Sequence, residues 1–195
     1  MMLALVIVTC QDGDVIFSFP AGDAALDFAG TRQLRNNPEP REQLTDPADL
    51  DAWFRQAGLV DDTSFGADDF ELAVSVREAI YDLVAARVNG SEADPTAVAT
   101  LNAAASAPSI TPQLVGTSMR REATPAQALS SVARDAIEIL GGPNAHLLRQ
   151  CNNEGCTQVY VDHSRGARRE WCSMDPCGNK IKAAAYRARK RAVAA

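Results

Sequence analysis

At 195 residues and 20.8 kDa, the chain is long enough for one good core and a small appendage. Apolar residues make up 46%, which excludes a disordered acidic chain, and no stretch approaches the roughly 20 apolar residues that a membrane-spanning helix needs. The net charge of −6 averages a body of −11 over residues 1–150 and a tail of +5 over 151–195, a division that points to two different partners or to one partner met only by the tail.

Aromatic residues are scarce, and Ala, Leu and Val dominate, which favours closely packed helices over a sheet sandwich. The opening "MMLALVIVTC" lacks the positive n-region of a secretory signal. It reads as a short strand, a start-site extension or a docked terminus, with Cys10 as a core or strand thiol. The expected location is the cytoplasm, where thiols are reduced or metal-bound rather than paired as disulfides.

In chain order, a short amphipathic helix is expected near Asp23–Leu34, with Leu26, Ala29 and Gly30 on one side, broken by "NNPEP". "TDPADLDAWFRQAGL" carries a strong helix start: Thr45 or Asp46 as N-cap, Pro47 in the first turn and Asp49 as the capping acid. Leu50, Trp53, Phe54 and Ala57 follow at helical spacing, and Gly58 ends the element. The longest periodic segment places Phe70, Ala73, Val74, Arg77, Ile80, Tyr81, Val84 and Val88 on one stripe, the mark of a central core helix closed by Asn89-Gly90. Asp94-Pro95 opens a further helix. "PQLVGTSMRREAT" predicts a hairpin turning at Gly116-Thr117, and Thr124-Pro125 to Gly141-Gly142 brackets a last body helix. After Gly142-Pro143 the Ala-rich composition gives way to Gly, Asn and basic residues, so a domain boundary is expected near 143–146.

Four of the five cysteines follow: Cys151, four residues, Cys156, fifteen residues, Cys172, four residues, Cys177. Zinc takes four thiolates at tetrahedral corners, and two short loops supply them with little loss of chain entropy. "NNEG" and "SMDP" hold the Asn, Gly, Ser and Pro that tight loops demand. A redox dithiol is the competing reading, but neither pair has the two-residue gap of thioredoxin-like centres. His163 is the one competing ligand type nearby. A closed four-thiolate site leaves no position for water, so the expected ion is structural. From Lys180 the chain reads as a basic helix, with Ile181, Ala184, Ala185, Ala188 and Ala192 as a small apolar stripe facing the finger. Arg165, Arg168 and Arg169 add charge upstream, and together these residues form a surface suited to phosphates. Tyr160, Trp171 and Tyr186 are the aromatic residues near it.

The segment from Cys151 to about Arg191 resembles the CGNR zinc finger, whose naming motif stands here as Cys177-Gly178-Asn179-Lys180. "CNNEGC", "YVDHSRGARREWCSMDPCGN" and "YRARKR" agree with it in order and spacing. The preceding region is similar to the ABATE domain that accompanies this finger: "LDFAGTRQLR" stands at its Leu-Asp-Phe-x-Asn-Thr signature, and "VREAIYDLVAARVNG" at its long helix. The resemblance implies a bacterial transcription regulator whose finger binds DNA and whose companion domain senses a ligand, with zinc held by Cys151, Cys156, Cys172 and Cys177. Lys180 replaces the motif Arg, keeping the charge but losing the planar fork, and Gly30 replaces the signature Asn.

The expected fold is therefore mainly α: an Ala-rich helical domain with a short β-hairpin over 14–143, then a four-cysteine finger with a basic C-terminal helix over 146–195. DNA contacts are expected from Arg165, Arg168, Arg169, Lys180, Lys182, Arg187, Arg189, Lys190 and Arg191. A candidate effector pocket comprises Asp27, Thr31, Arg32 and Arg77, with Asp27 as the internal partner of Arg77. A small-molecule effector, a homodimer and no membrane partner complete the expected set. RNA binding and docking on an acidic protein, including this chain's own body, are the alternatives. No enzymatic activity is expected, because no phosphate-cradling loop or Ser/His or Cys/His pairing stands out.

Overall fold

The computed structural model describes residues 15–193, apart from the side chains of Pro176, Ala185 and residues 191–193. The opening apolar run with Cys10 and the side chain of Arg191 lie outside the described residues. The first helix, α1 (Ala24–Ala29), is shorter than the expected span to Leu34. Its end is local: the Thr31 hydroxyl donates to the Phe28 carbonyl at 2.7 Å, and Arg32–Gln33 (β1) then pairs antiparallel with Arg41–Glu42 (β2). The "NNPEP" segment is the loop between those two strands.

Helix α2 (Pro47–Gln56) starts at Asp46, whose side chain accepts from the Asp49 amide. The Asp49 carboxylate in turn accepts from the amide and hydroxyl of Thr45, so one charge satisfies two orphan donors. Several of the few aromatics cluster at one place. Trp53 meets Phe28 at 4.9 Å and the edge of Phe54 at 5.0 Å, and Phe54 stacks on Phe65 at 5.2 Å.

Helix α3 (Ala67–Asn89) ends at Gly90 with φ +69°, a left-handed turn that suits glycine. It is covered by α1, α2, α4 (Pro95–Ala105), α5 (Pro125–Gly141) and the later strand β5 (Leu148–Gln150). Its buried face is accordingly broader than the expected stripe: Val76, Ala79 and Leu83 join Ala73, Arg77, Ile80 and Val84, while Phe70, Val74, Tyr81 and Val88 are only half-buried. Asp94 caps α4, and Thr124 with Gln127 forms a capping box on α5. The far end of α4 is closed by α5: Ser130 Oγ donates to the Ala107 carbonyl at 2.6 Å, and Arg134 donates to the carbonyls of Ala105 and Ala107. Between these helices β3 (Gln113–Val115) and β4 (Ser118–Arg120) form the expected hairpin, exposed along both strands.

Strand β5 pairs antiparallel with β6 (Val159–Val161), and helix α6 (Asn179–Val193) closes the order. The finger does not stand apart. Leu148, Val159, Tyr160 and Val161 belong to the same apolar cluster as the body helices. The side chain of Gln158 reaches across to donate to the Leu26 carbonyl at 2.9 Å. A Cβ at Gly30 would lie 2.1 Å from its Oε1, so where the family signature has an Asn, this chain has space filled by a carboxamide from the finger.

Asp27 is buried in α1 and accepts from the amides of Ala21 and Gly22 at 2.8 and 3.0 Å. Desolvation outweighs those bonds and pushes its carboxyl up to about 6, with Asp23 and Asp135 adding repulsion. The folded pKa exceeds the unfolded one, so this group favours folding most below pH 4. That contribution declines between pH 4 and about 6. The carboxyl resonance of Asp27 should titrate near 6 in a carbon-detected NMR pH series; a midpoint near 4 would contradict the burial argument.

Candidate metal centre and its basic surroundings

Both cysteine loops are held by backbone bonds before any metal is considered. Cys151 follows β5, and its amide donates to the Gln158 carbonyl at 2.9 Å; the Cys156 amide turns back on the Asn153 carbonyl at 2.9 Å, with Gly155 at φ +79° making the bend. The Asn152 amide donates to Glu170 at 2.9 Å, which ties the first loop to the chain entering Trp171-Cys172. The Gly178 amide closes the second loop on the Ser173 carbonyl at 3.0 Å.

The four Sγ atoms lie within 4.8 Å of one another; Cys151, Cys172 and Cys177 are buried and Cys156 is half-buried. Four sulfurs at ~2.3 Å from a single tetrahedral ion would be ~3.8 Å apart, so the donor set fits zinc. As thiols, the cluster is electrostatically lopsided. Hydrogen bonds from Cys156 and Cys172 pull Cys151 down to about 2, and the same contacts push Cys156 up to about 12 and Cys172 higher still. A divalent cation favours the deprotonated form of its sulfur ligands, so zinc held here would be bound by thiolates. Asn153 Nδ2 donates to Cys177 Sγ at 3.2 Å, a donor that offsets thiolate charge from outside the ligand set. His163 is exposed in the loop after β6 and is absent from the cluster.

The Gly of the CGNR motif has a steric reason. A Cβ at Gly178 would fall 2.6 Å from Trp171 Nε1, so the indole lies flat against the second loop just where α6 begins. Only the first turn of α6 touches the finger: Ile181 is half-buried, whereas Ala184 and Ala188 are exposed. Of the expected apolar stripe, Ile181 is half-buried and Ala184 and Ala188 do not rest on the finger, while the side chains of Ala185 and Ala192 lie outside the described ones; the loop closes beneath the first turn of the helix.

The basic residues divide accordingly. Lys180, Lys182, Arg187, Arg189 and Lys190 are exposed on α6, and Arg165 and Arg168 are exposed on the loop organised by buried Asp162, whose carboxylate accepts from the amides of Ser164 and Arg169. Arg169 is half-buried: its guanidinium lies 4.4 Å above the Tyr160 ring and donates to the carbonyls of Trp171 and Pro20, so it ties the finger to the body. Tyr160 is fully buried, with its hydroxyl donating to the Arg169 carbonyl at 2.6 Å. Lys182 Nζ lies 5.8 Å from the Trp171 ring, and Tyr186 is 61% exposed.

The expected effector residues are placed differently from expectation. Arg77 is 1% exposed and paired, but with Glu42 at 2.5 and 2.7 Å and with Glu78 at 2.8 Å, rather than with Asp27. Asp27 is committed to the amides of α1's own approach, as described above. Glu78 also receives Arg35 and, at 3.5 Å, Arg32, and Thr31 Oγ1 accepts from Arg77 at 3.4 Å. Arg35 is packed over Tyr81 at 3.9 Å. The guanidinium groups of Arg35 and Arg77 hold Glu78 below the usual carboxylate range despite its desolvation. These side chains form one ionic cluster, with Arg77 buried at its centre and Arg32, Glu42 and Glu78 partly exposed. Glu42, Glu78 and Arg35 were missed in the sequence. Glu78 adjoins Arg77 and was readable as its neighbour, whereas Glu42 gives no signal because its strand pairing brings it there.

Glu42→Ala should lower stability by about 2–3 kcal/mol, since it strips a bidentate partner from a buried guanidinium; urea unfolding at neutral pH measures it. Asn153→Ala should weaken zinc at least tenfold, in the range of outer hydrogen-bond donors at metal sites, as read by competition with a coloured chelator.

Residues 22–143 match the family model ABATE, described as "Putative stress-induced transcription regulator", and residues 148–190 match the CGNR zinc finger. A comparison with curated proteins finds no match. With four converging thiols behind an Ala-rich helical body, and a family match over more than half its length, the chain belongs to the ABATE family and carries a CGNR zinc finger with one structural zinc ion.

Proposed function

We propose that this protein is a zinc-dependent, DNA-binding transcription regulator of the cytoplasm, with the helical body as its ligand-sensing or dimerisation module. The observation that carries the reading is α6. It is rooted on the second cysteine loop and leaves the finger with Lys182, Arg187, Arg189 and Lys190 exposed. Fifteen residues at ~1.5 Å each make a rod of about 22 Å, and the B-form major groove, about 12 Å wide, admits a helix. Exposed Ala184 and Ala188 keep the rod slim between its cations. Zinc then acts by fixing the direction of the helix, and the ion takes no part in chemistry. The reading is of a binding protein, supported by a closed four-sulfur donor set. Lys180 at the motif position offers a point charge to a phosphate rather than a fork to guanine. One small finger reads few bases, so a dimer on two half-sites suits the specificity a regulator needs.

RNA binding and docking on an acidic protein are the competing readings. Burial of Tyr160 and the packing of Trp171 against Gly178 leave Tyr186 as the exposed aromatic of the finger region, a poor stacking platform for single strands.

A salt series on random duplex, single-stranded DNA and RNA tests the reading. Duplex binding should fall steeply with salt. Arg187→Ala and Arg189→Ala should each lower the log–log slope by about 0.9, and Cys172→Ser should lose binding. Arg169→Ala should reduce thermal stability and leave the slope unchanged. Equal or tighter RNA binding would favour the RNA reading, and absence of nucleic-acid binding by zinc-loaded protein at low salt would sink both.

A further inference from the structure

The body has an open cleft formed where the last turns of α3 and α5 flank the face of α4. Its volume is about 400 Å³, within the ~300–1,000 Å³ typical of small-ligand sites. Buried Leu101 and half-buried Leu140 line it, and Val98 and Ile137, 37% and 36% exposed, stand in it as apolar residues left to water. Besides Ser91, whose hydroxyl donates to the Ala86 carbonyl, two exposed polar side chains join the same lining, Arg87 of α3 and Asn102 of α4. Among the described residues, neither side chain has a hydrogen-bond or ion-pair partner, although the body carries a large acidic excess. Arg32, Arg35 and Arg77 are paired with carboxylates, and Arg121 and Arg134 are bonded to backbone carbonyls, whereas Arg87, like Arg41, Arg55 and Arg120, has no such partner among the described residues; of these four, Arg87 lines the cleft.

We infer that this cleft is a binding site for a small apolar carboxylate. Val98, Ile137, Leu101 and Leu140 take the hydrocarbon part out of water. Arg87 receives the carboxylate as a forked, charge-assisted pair, and the Asn102 amide adds a neutral donor. An apolar ligand without the anion would satisfy the walls and leave the fork in water. A phosphate without the apolar part would meet Arg87 and leave Val98 and Ile137 exposed. The site needs both halves of the ligand. This inference deepens the sensing role proposed for the body and rests on that reading only for its regulatory consequence; binding itself is measured without DNA.

Octanoate and octanol serve as matched probes in calorimetric titrations of the full zinc-loaded chain. Octanoate should bind more tightly than octanol. Arg87→Ala and Arg87→Gln should each weaken octanoate about tenfold, toward the octanol level, the loss expected for one charge-assisted pair. Ile137→Trp and Val98→Trp fill the cleft from two different helices and should each abolish binding, with unchanged circular dichroism showing that the variant folds. No heat from octanoate at millimolar concentration would overturn the inference, as would equal binding of octanoate and octanol. It would also fail if the chain sediments as a dimer that Val98→Asp converts to monomer, since a second copy then occupies the cleft. Octanoate binding with no nucleic-acid binding would leave the site standing and remove the regulator reading; the reverse would remove the site alone.

Discussion

Four thiols held within 4.8 Å of one another are the constraint on which the C-terminal finger depends. Thiolates this close repel one another, and a divalent cation held between them offsets that repulsion. With zinc, both loops are pinned, the Trp171 indole is pressed against Gly178, and α6 leaves in one direction. A helix of small and cationic residues has little packing of its own to fix its orientation. The metal supplies what a hydrophobic face would otherwise supply.

The metal's reach extends beyond the finger because the finger shares the body's core. Leu148, Val159, Tyr160 and Val161 pack with the helices, Arg169 donates to the Pro20 carbonyl, and Gln158 donates to the Leu26 carbonyl beside Gly30. Arg35 adds to the seam, with its guanidinium on Glu78 and its amide 3.4 Å from Thr157 Oγ1. Disturbance at either side of this seam is therefore transmitted through packed and hydrogen-bonded groups rather than through a loose linker. The family's signature segment lies on the body side of that seam, which gives its residues a structural task independent of any ligand.

The ionic cluster around buried Arg77 shows how a sequence rule held while its detail did not. Arg77 falls inside an apolar stripe, so burial demanded a carboxylate partner, and it has two. The choice of Glu42 and Glu78 over Asp27 follows from α1 stopping at Ala29. Once Thr31 closes the helix on Phe28, the chain turns into β1 and β2 and carries Glu42 to the guanidinium. Asp27, left on the helix, is taken by the amides of Ala21 and Gly22.

Local signals were the legible ones. Asp46, Asp94 and Thr124 cap the helices they announced, Gly90 ends α3 in the left-handed turn it suits, and the hairpin turns at Gly116-Thr117, because each depends on a few adjacent residues. The cysteine spacing was equally readable, since zinc imposes its own geometry on any chain that supplies four thiolates. What required the tertiary structure was every choice among distant partners. Arg169 and Arg187 look alike in the sequence, yet one is spent clamping Tyr160 and Pro20 while the other faces solvent. The sequence by itself determined the helices, the caps and the metal ligands; only the packing decided which charges are buried, which remain free for a partner, and where a cavity is left between helices, because those outcomes depend on contacts between residues far apart along the chain.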